Sequence, residues 1–204
     1  LNFELWNYDG YNTPSMVAEI CPGGFGSSPS DFAVYNYQLY FQASDCTSGD
    51  ELWNYNGYNP PSMVADIKSG SGGSYPSDFA VLNNELYFIA NDGTHGYELW
   101  RYDGSTASMV ADVNQGYLGG TNSSNLVVFE NNLFFSGSIN GTHIATLYAY
   151  DGISEPVDIT HGDYRPENKY IYNNEMIFVS YNYSTGHSID SMAYTTGHTI
   201  SWIL

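Results

Sequence analysis

The sequence predicts an all-β fold, a β-propeller or a propeller-like array of four-stranded antiparallel blades. A motif of the form Glu-Leu-Trp, two further residues, Asp or Asn and then Gly opens at residue 4 and recurs at 51 and 98, with weaker copies at 146 and 191. The steps between these positions are 47, 47, 48 and 45 residues. A fixed period of this length, built from short segments rich in Val, Tyr, Phe and Trp, is typical of propeller blades.

Each repeat contains four short segments that read as strands, because each is rich in β-branched and aromatic residues and none keeps a helical period. The segment that carries the motif is followed by one of the Met-Val-Ala type, at 15–20, 62–67, 108–113, 156–159 and 199–203. The next lies at 32–35, 79–82, 126–129 and 169–172. The last, of the Leu-Tyr-Phe type, lies at 38–41, 85–88, 132–135 and 175–178.

Tight turns separate these segments. Asn-Tyr or Asn-Asn pairs occur at 36–37, 83–84, 131–132 and 173–174, and Asp-Gly or Asn-Gly pairs follow each motif strand. Such pairs favour two-residue hairpins. A stacked β-solenoid or a β-sandwich is the alternative, but solenoid coils are usually shorter and parallel, and a sandwich need not repeat its sequence.

The repeat divides the chain into one domain of blades at 29–67, 76–113, 123–159 and 166–204, preceded by a half blade at 1–21. The half blade contains only the two outer strands. We therefore expect two inner strands to come from residues beyond Leu204 in a longer polypeptide, or from another chain, which would be a route to filaments.

Composition excludes several partners. Four Lys and Arg stand against 22 Asp and Glu, for a formal charge of −18, which disfavours nucleic acid and anionic membranes. No apolar run reaches the length of about 18 residues that spans a bilayer. Many acids recur in register, including Glu4, Glu51 and Glu98. We interpret them as surface charge repeated in each blade, and expect stability to depend on divalent cations.

The motif together with the Met-Val-Ala-Asp-Ile and Leu-Tyr-Phe strands resembles the ELWxxDGT repeat proteins. The resemblance covers nearly the whole chain, is clearest between Glu4 and Asp112 and decays after Asn140. The usual Thr after Asp-Gly is absent, since Tyr11 and Tyr58 stand there in the first two copies. The resemblance implies a large secreted or surface protein with a propeller-like architecture, and it implies no catalytic residue.

Two sets of residues are candidate ligand sites on the face that carries the long loops. One aromatic residue occupies each loop between blades and is a candidate for stacking on carbohydrate: Phe25, Tyr75, Tyr117 and Tyr164. One Asp or Asn begins each innermost strand and is a candidate Ca²⁺ ligand: Asp31, Asp78, Asn125 and Asn168. The alternatives are that the rings pack on neighbouring loops and that the Asp and Asn side chains cap turns.

Cys21 and Cys46 fall on the same face and are expected to form a disulfide between the half blade and the next blade. Three glycosylation sequons, at Asn122, Asn140 and Asn182, lie on this face of the last two blades. Neither a catalytic motif nor a cofactor motif is present, and we expect no enzyme activity.

The sequence thus favours an extracellular or cell-surface structural or adhesive protein. It would self-associate or bind neighbouring surface proteins through the incomplete blade. The alternative is a glycan-binding, lectin-like propeller module, with Ca²⁺ as the one cofactor that the pattern suggests.

Overall fold

The computed structural model describes residues 3–23, 25–113, 125–138, 145–160, 164–182, 187–195 and 199–202. All regular structure in these residues is β-strand. Among them there is no helix long and apolar enough to cross a membrane.

The described strands form one two-stranded sheet and four four-stranded sheets. The half blade consists of β1 (Leu5–Asn7) and β2 (Ser15–Ala18). The first full sheet consists of β3 (Ser30–Tyr35), β4 (Gln38–Ser44), β5 (Asp50–Tyr55) and β6 (Ser62–Ala65). The second consists of β7 (Ser77–Leu82), β8 (Glu85–Asn91), β9 (Tyr97–Tyr102) and β10 (Ala107–Ala111).

The third sheet consists of β11 (Val127–Phe129), β12 (Asn132–Ser138), β13 (Ala145–Tyr150) and β14 (Val157–Asp158). The fourth consists of β15 (Tyr164–Tyr172), β16 (Glu175–Asn182), β17 (His187–Thr195) and β18 (Thr199–Trp202). In every sheet consecutive strands pair antiparallel in chain order. The prediction of an all-β chain of four-stranded antiparallel sheets is confirmed, and a closed propeller stays a prediction.

Tight turns connect the first two strands of each full sheet, and both of their central residues have positive φ. Asn36 and Tyr37 have φ of 47° and 62°. This pair of left-handed residues matches the twist of the flanking strands, and Asn tolerates it better than most residues do. In the third sheet the turn residues are Glu130 and Asn131, one position earlier than the predicted pair, because Asn132 already pairs with Phe129 in the β11–β12 ladder.

Neighbouring sheets pack through their faces, and the first strands of successive full sheets contact one another. Each Leu-Tyr-Phe strand buries the Phe at the same place in the repeat almost completely, namely Phe41, Phe88, Phe135 and Phe178, and β12 buries Phe134 as well. Burying such a ring stabilises the fold by about 2 to 3 kcal/mol. The core is therefore a series of similar interfaces between sheets, each repeated with the period of the sequence.

The half blade forms the first of these interfaces. Leu5 and Ile20 are buried against Phe41, Ala43 and Trp53 of the first full sheet. Trp53 thus faces the unit that precedes it in the chain. Trp6 occupies the same place in the half blade, and its side chain therefore faces away from the rest of the described molecule.

Candidate functional site

The disulfide fixes the position of the half blade. Cys21 and Cys46 are joined, with Cα atoms 5.3 Å apart, as the sequence predicted. Cys21 is fully buried. Because β1 and β2 make only a two-stranded sheet, which is marginal by itself, the bond and the packing of Leu5 and Ile20 together hold them on the first full sheet.

A buried carboxylate secures each junction between the first sheets, and the sequence interpretation missed this role. Glu51 accepts hydrogen bonds from the Ile67 amide (2.8 Å), the Ser74 amide (3.0 Å) and the Ser74 hydroxyl (2.6 Å). Glu4 accepts equivalent bonds from the amides of Ile20 and Ser27 and from the Ser27 hydroxyl. The carboxylate therefore ties the motif strand to the loop that leads to the next sheet.

The expectation that Glu4, Glu51 and Glu98 carry surface charge is wrong, because all three are buried. Burial raises the pKa of the Glu51 carboxyl, while its hydrogen bonds act in the opposite direction. The sequence contains a spacing that could have predicted this hydrogen bond. A Ser follows the Glu at the same separation of 23 residues in the first two repeats, as Ser27 and Ser74.

The Asp and Asn residues proposed as Ca²⁺ ligands lie at irregularities of the innermost strands. Asp31, Asp78 and Asn168 have φ of 53°, 55° and 50°, and each lies where the register of the ladder shifts. Asp and Asn tolerate this left-handed conformation at bulges. Asn125 precedes β11, and its side-chain oxygen is buried with no hydrogen-bond partner in the described part of the chain.

Two of these carboxylates interact across the sheets. Burial raises the pKa of Asp78, the charge of Asp31 raises it further, and the ammonium group of Lys169 lowers it. Lys169 is buried and donates to the Ser136 hydroxyl at 3.0 Å. A lysine therefore accompanies the carboxylates that were proposed to hold a cation. Within the described ranges no three His, Cys, Asp or Glu side chains converge as a metal site, and Ca²⁺ stays a prediction.

The aromatic residues proposed for carbohydrate binding have different surroundings. Phe25 lies in a turn with its side chain 87% exposed, and Tyr75 lies in a loop and is 45% exposed. Tyr164 does not lie in a loop, since it is the first residue of β15 and pairs with Asn182. The expectation that it lies in a loop is therefore wrong, because β15 begins five residues before the predicted segment at 169. Tyr117 lies outside the described residues.

The three glycosylation sequons remain predictions. Asn122 and Asn140 lie outside the described residues. Asn182 is the last residue of β16 and pairs with Tyr164 and His187 along the backbone.

The most distinctive surface of the described molecule is the outer side of the half blade. Trp6 is 57% exposed, whereas Trp53, at the same place in the next repeat, is 8% exposed. A cleft of about 450 Å³ lies beside β1, and its lining includes Phe3, Glu4, Leu5, Trp6, Pro29 and Phe32. Phe3 and Phe32 are 73% and 53% exposed. We refer to Phe3, Trp6 and Phe32 with this cleft as the half-blade surface.

Comparison with known proteins gives a limited result. No protein-family profile matches the sequence. No curated protein matches it either. An α-L-arabinofuranosidase from Clostridium thermocellum ATCC 27405 resembles the structure at 10% identity and a TM-score of 0.45, over 98% of this chain and 81% of that chain.

Two further solved structures show similar likeness. A GH43 endo-arabinanase from Bacillus licheniformis has 14% identity and a TM-score of 0.42, over 86% of this chain and 76% of that chain. A family 117 glycoside hydrolase from the marine bacterium Zobellia galactanivorans has 10% identity and a TM-score of 0.40, over 85% of this chain and 67% of that chain.

These neighbours contradict the expectation that the chain is not an enzyme, because all three are glycoside hydrolases. That expectation is withdrawn. At such TM-scores and identities the likeness does not assign an activity, a substrate or a catalytic residue to this chain.

Proposed function

We propose that the chain is an extracellular structural or adhesive repeat module that associates with further copies through its half-blade surface. The observation that carries the proposal is the difference between Trp6 and Trp53, which occupy the same place in successive motifs but are 57% and 8% exposed. Exposed apolar side chains that cluster beside a cleft are typical of protein contact sites.

The packing inside the chain supports the same proposal. Trp53 is covered by the preceding unit through Leu5 and Ile20. Trp6 belongs to the same kind of face and has no covering unit among the described residues. The chain therefore offers a second copy a face of the type that it buries internally, and a contact of this kind continues the existing series of sheets.

Three further features support an extracellular location. Disulfides persist in oxidising surroundings, and Cys21 is joined to Cys46. The repeat motif resembles the ELWxxDGT repeat proteins, which implies secretion or surface display, and membership of that family is part of this proposal. A strongly acidic chain keeps its solubility outside the cell, where salt screens the repulsion between copies.

Sedimentation of the purified chain over a range of concentrations tests the proposal. We expect concentration-dependent association that Trp6→Ser abolishes. Tyr58→Ser is the matched control, since Tyr58 is 93% exposed but lies in the turn after β5 of the first full sheet and does not line the cleft beside β1. A chain that stays monomeric at every concentration, or that associates equally well with Trp6→Ser, contradicts the proposal.

Glycan binding through the loop aromatics is a second candidate, favoured by Phe25, whose ring is 87% exposed. A ring this exposed contributes little packing and is available to stack on the apolar face of a sugar. A glycan array probed with the purified chain, with and without chelator, tests this candidate. Binding that Phe25→Ala removes supports it, and an array without any bound glycan under either condition contradicts it.

A further inference from the structure

Two tyrosine rings at one end of the first full sheet are almost completely exposed. Tyr37 lies in the turn between β3 and β4 and is 97% exposed, and Tyr58 lies in the turn after β5 and is 93% exposed. Because Leu39 at the start of β4 pairs with Tyr55 at the end of β5, both turns lie at the same end of the sheet. This sheet packs against the half blade and against the second full sheet, and both rings remain in solvent beside these neighbours.

The backbone of its turn does not explain the presence of Tyr37. Its φ of 62° lies in the left-handed region, which is strained for a bulky side chain. At the same place the other three full sheets have Asn84, Asn131 and Asn174, with φ of 60°, 61° and 61°. Asn tolerates this conformation better than Tyr does. A strained residue whose ring lies in solvent is typical of a functional site.

The turn of Tyr58 is held by hydrogen bonds that do not involve its ring. The Asn56 side-chain oxygen accepts from the amides of Tyr58 (3.0 Å) and Asn59 (2.9 Å). In the second full sheet Ser105 takes the place of Tyr58, and its amide donates to the Asp103 side chain at 2.8 Å. The turn therefore forms without an aromatic residue. Because its backbone is already fixed, the Tyr58 ring is presented to a ligand at little cost in conformational entropy.

The two turns carry no charge, although the chain has a formal charge of −18. Every residue from 32 to 44 and from 52 to 65 is uncharged. The turn of Tyr58 has Asn56 where three of its equivalents in other sheets have Asp. An uncharged surface offers no ion pairs to a charged partner, and the acids elsewhere on the chain repel polyanions. The two rings therefore fit a neutral ligand.

The spacing of the two rings favours an extended ligand. Two strand spacings separate the two turns in the sheet, and neighbouring strands lie about 4.8 Å apart, so the turns are about 10 Å apart. A Tyr ring packs on the apolar C–H face of a sugar, and Asn side chains donate to and accept from sugar hydroxyls. Asn36 precedes Tyr37, and Asn59 follows Tyr58. A chain of several sugar residues reaches both rings, whereas a single sugar reaches only one.

We propose that Tyr37 and Tyr58 form a binding site for a neutral polysaccharide, each ring stacking on a different sugar residue of one chain. Contact with one ring alone is weak, and contact with both at once raises the overall affinity. The inference goes beyond the proposed function, because the site uses neither the half-blade surface nor association between copies. It also differs from the second candidate, because Phe25 precedes β3 and thus lies toward the opposite end of the sheet.

Isothermal titration of the intact purified chain with neutral hexasaccharides of glucose, mannose, galactose and xylose tests the inference. We expect saturable binding of at least one of them. The informative variants are Tyr37→Asn and Tyr58→Ser, because each introduces the residue that the second full sheet has at the same place. Both variants should therefore keep the thermal stability of the parent.

Each of these variants should weaken binding about tenfold, and the double variant should bind no sugar measurably. Tyr37→Phe should bind like the parent, since the ring is kept. Tyr170→Ala is the matched control, because Tyr170 is 64% exposed but lies on β15 of the fourth sheet and in neither turn. It should leave the affinity unchanged.

Three results would overturn the inference. The first is the absence of saturable binding by every hexasaccharide. The second is equal affinity of the parent and the double variant, and a loss on Phe25→Ala would then assign the sugar to the second candidate. The third is tighter binding of a hexasaccharide of uronic acids than of any neutral one, because the site would then not select an uncharged chain.

Discussion

The Ser74 hydroxyl donates a hydrogen bond of 2.6 Å to the Glu51 carboxylate, and the Ser74 amide donates a second of 3.0 Å. Both residues are fully buried. The pair joins the second of the five motif copies to the loop that enters the next sheet. The Glu that begins the first three motif copies is thus explained by its hydrogen bonds to the following loop and not by the surface charge that composition suggested.

Glu51→Ala is expected to destabilise the chain by about 3 kcal/mol, because it leaves buried donors at Ile67 and Ser74 without an acceptor. Ser74→Ala removes one donor and should cost about 1 kcal/mol. Urea unfolding followed by fluorescence measures both losses. Glu19→Ala is the control, since Glu19 is exposed, and it should change stability by less than about 0.5 kcal/mol. Equal losses for Glu19→Ala and Glu51→Ala would contradict the role assigned to Glu51.

The Asp9 carboxyl should titrate at about 2, because it accepts hydrogen bonds from the amides of Tyr11 (2.9 Å) and Asn12 (2.8 Å) in its turn. Since the folded pKa lies below the ordinary value of 3.8, the stability that Asp9 contributes is complete above that value. It is lost as the pH falls from there toward about 2. Carbon-13 NMR of the carboxyl group measures the midpoint, and a value near 4 contradicts the prediction.

Asp9→Asn should keep the turn and remove this part of the acid dependence. Asn56 already performs the same task in the next repeat, where its side-chain oxygen accepts from the amides of Tyr58 (3.0 Å) and Asn59 (2.9 Å). The variant is therefore expected to keep its fold at pH 7 and to lose the change in stability that Asp9 contributes as the pH falls from 3.8 toward about 2. Urea unfolding at several pH values makes the comparison. A large loss at pH 7 would indicate that the charge itself is required.

Asp31→Asn should lower the pKa of Asp78, because it removes a like charge that acts on that buried carboxyl. The converse test is Lys169→Met, which should raise the same pKa by removing a positive charge. NMR titration of Asp78 in each variant gives the two directions. An unchanged pKa of Asp78 in Asp31→Asn shows that the two inner strands do not interact electrostatically.

The raised pKa of Asp78 also has a consequence for stability. A carboxyl whose folded pKa lies above its unfolded value favours the fold most below the unfolded value, and this contribution is lost as the pH rises through the folded pKa. Asp78→Asn should therefore stabilise the chain relative to the parent, and this gain should be larger at pH 7 than at pH 4. Asn suits the left-handed backbone there, as Asn168 shows with a φ of 50°. Thermal unfolding at the two pH values checks the sign.

Replacing both cysteines by Ser should destabilise the chain by about 3 kcal/mol, as expected for a bond that closes a loop with a sequence separation of 25 residues. The loss should appear first at the half blade, since its two strands depend on this bond for their attachment. Hydrogen exchange of the Leu5 and Val17 amides, compared with amides of β8, measures the local effect. Hydrogen exchange that becomes faster by the same factor in all sheets would contradict a local role of the disulfide.

Much of the fold follows from local sequence. The period of the motif, the alternating apolar segments and the Asn and Asp turns predict the strands and their order, because a hairpin needs only residues that are near in the chain. Cys21 and Cys46 were also predictable as a pair from the strand phase. The long β15, with Tyr164 at its start, was not, because the segment that continues the strand lacks the apolar pattern of the earlier repeats.

The sequence by itself determined the repeat, the antiparallel sheets and, to within about one residue, the positions of the turns. Tertiary structure alone decided the surroundings of equivalent residues. Trp6 and Trp53 share one motif, yet one is exposed and the other is buried, because burial depends on which unit packs against the residue and not on the residues beside it in the chain. Glu51 became a buried anchor and Asp78 a neighbour of Asp31 for the same reason, since long-range packing brings their partners to them.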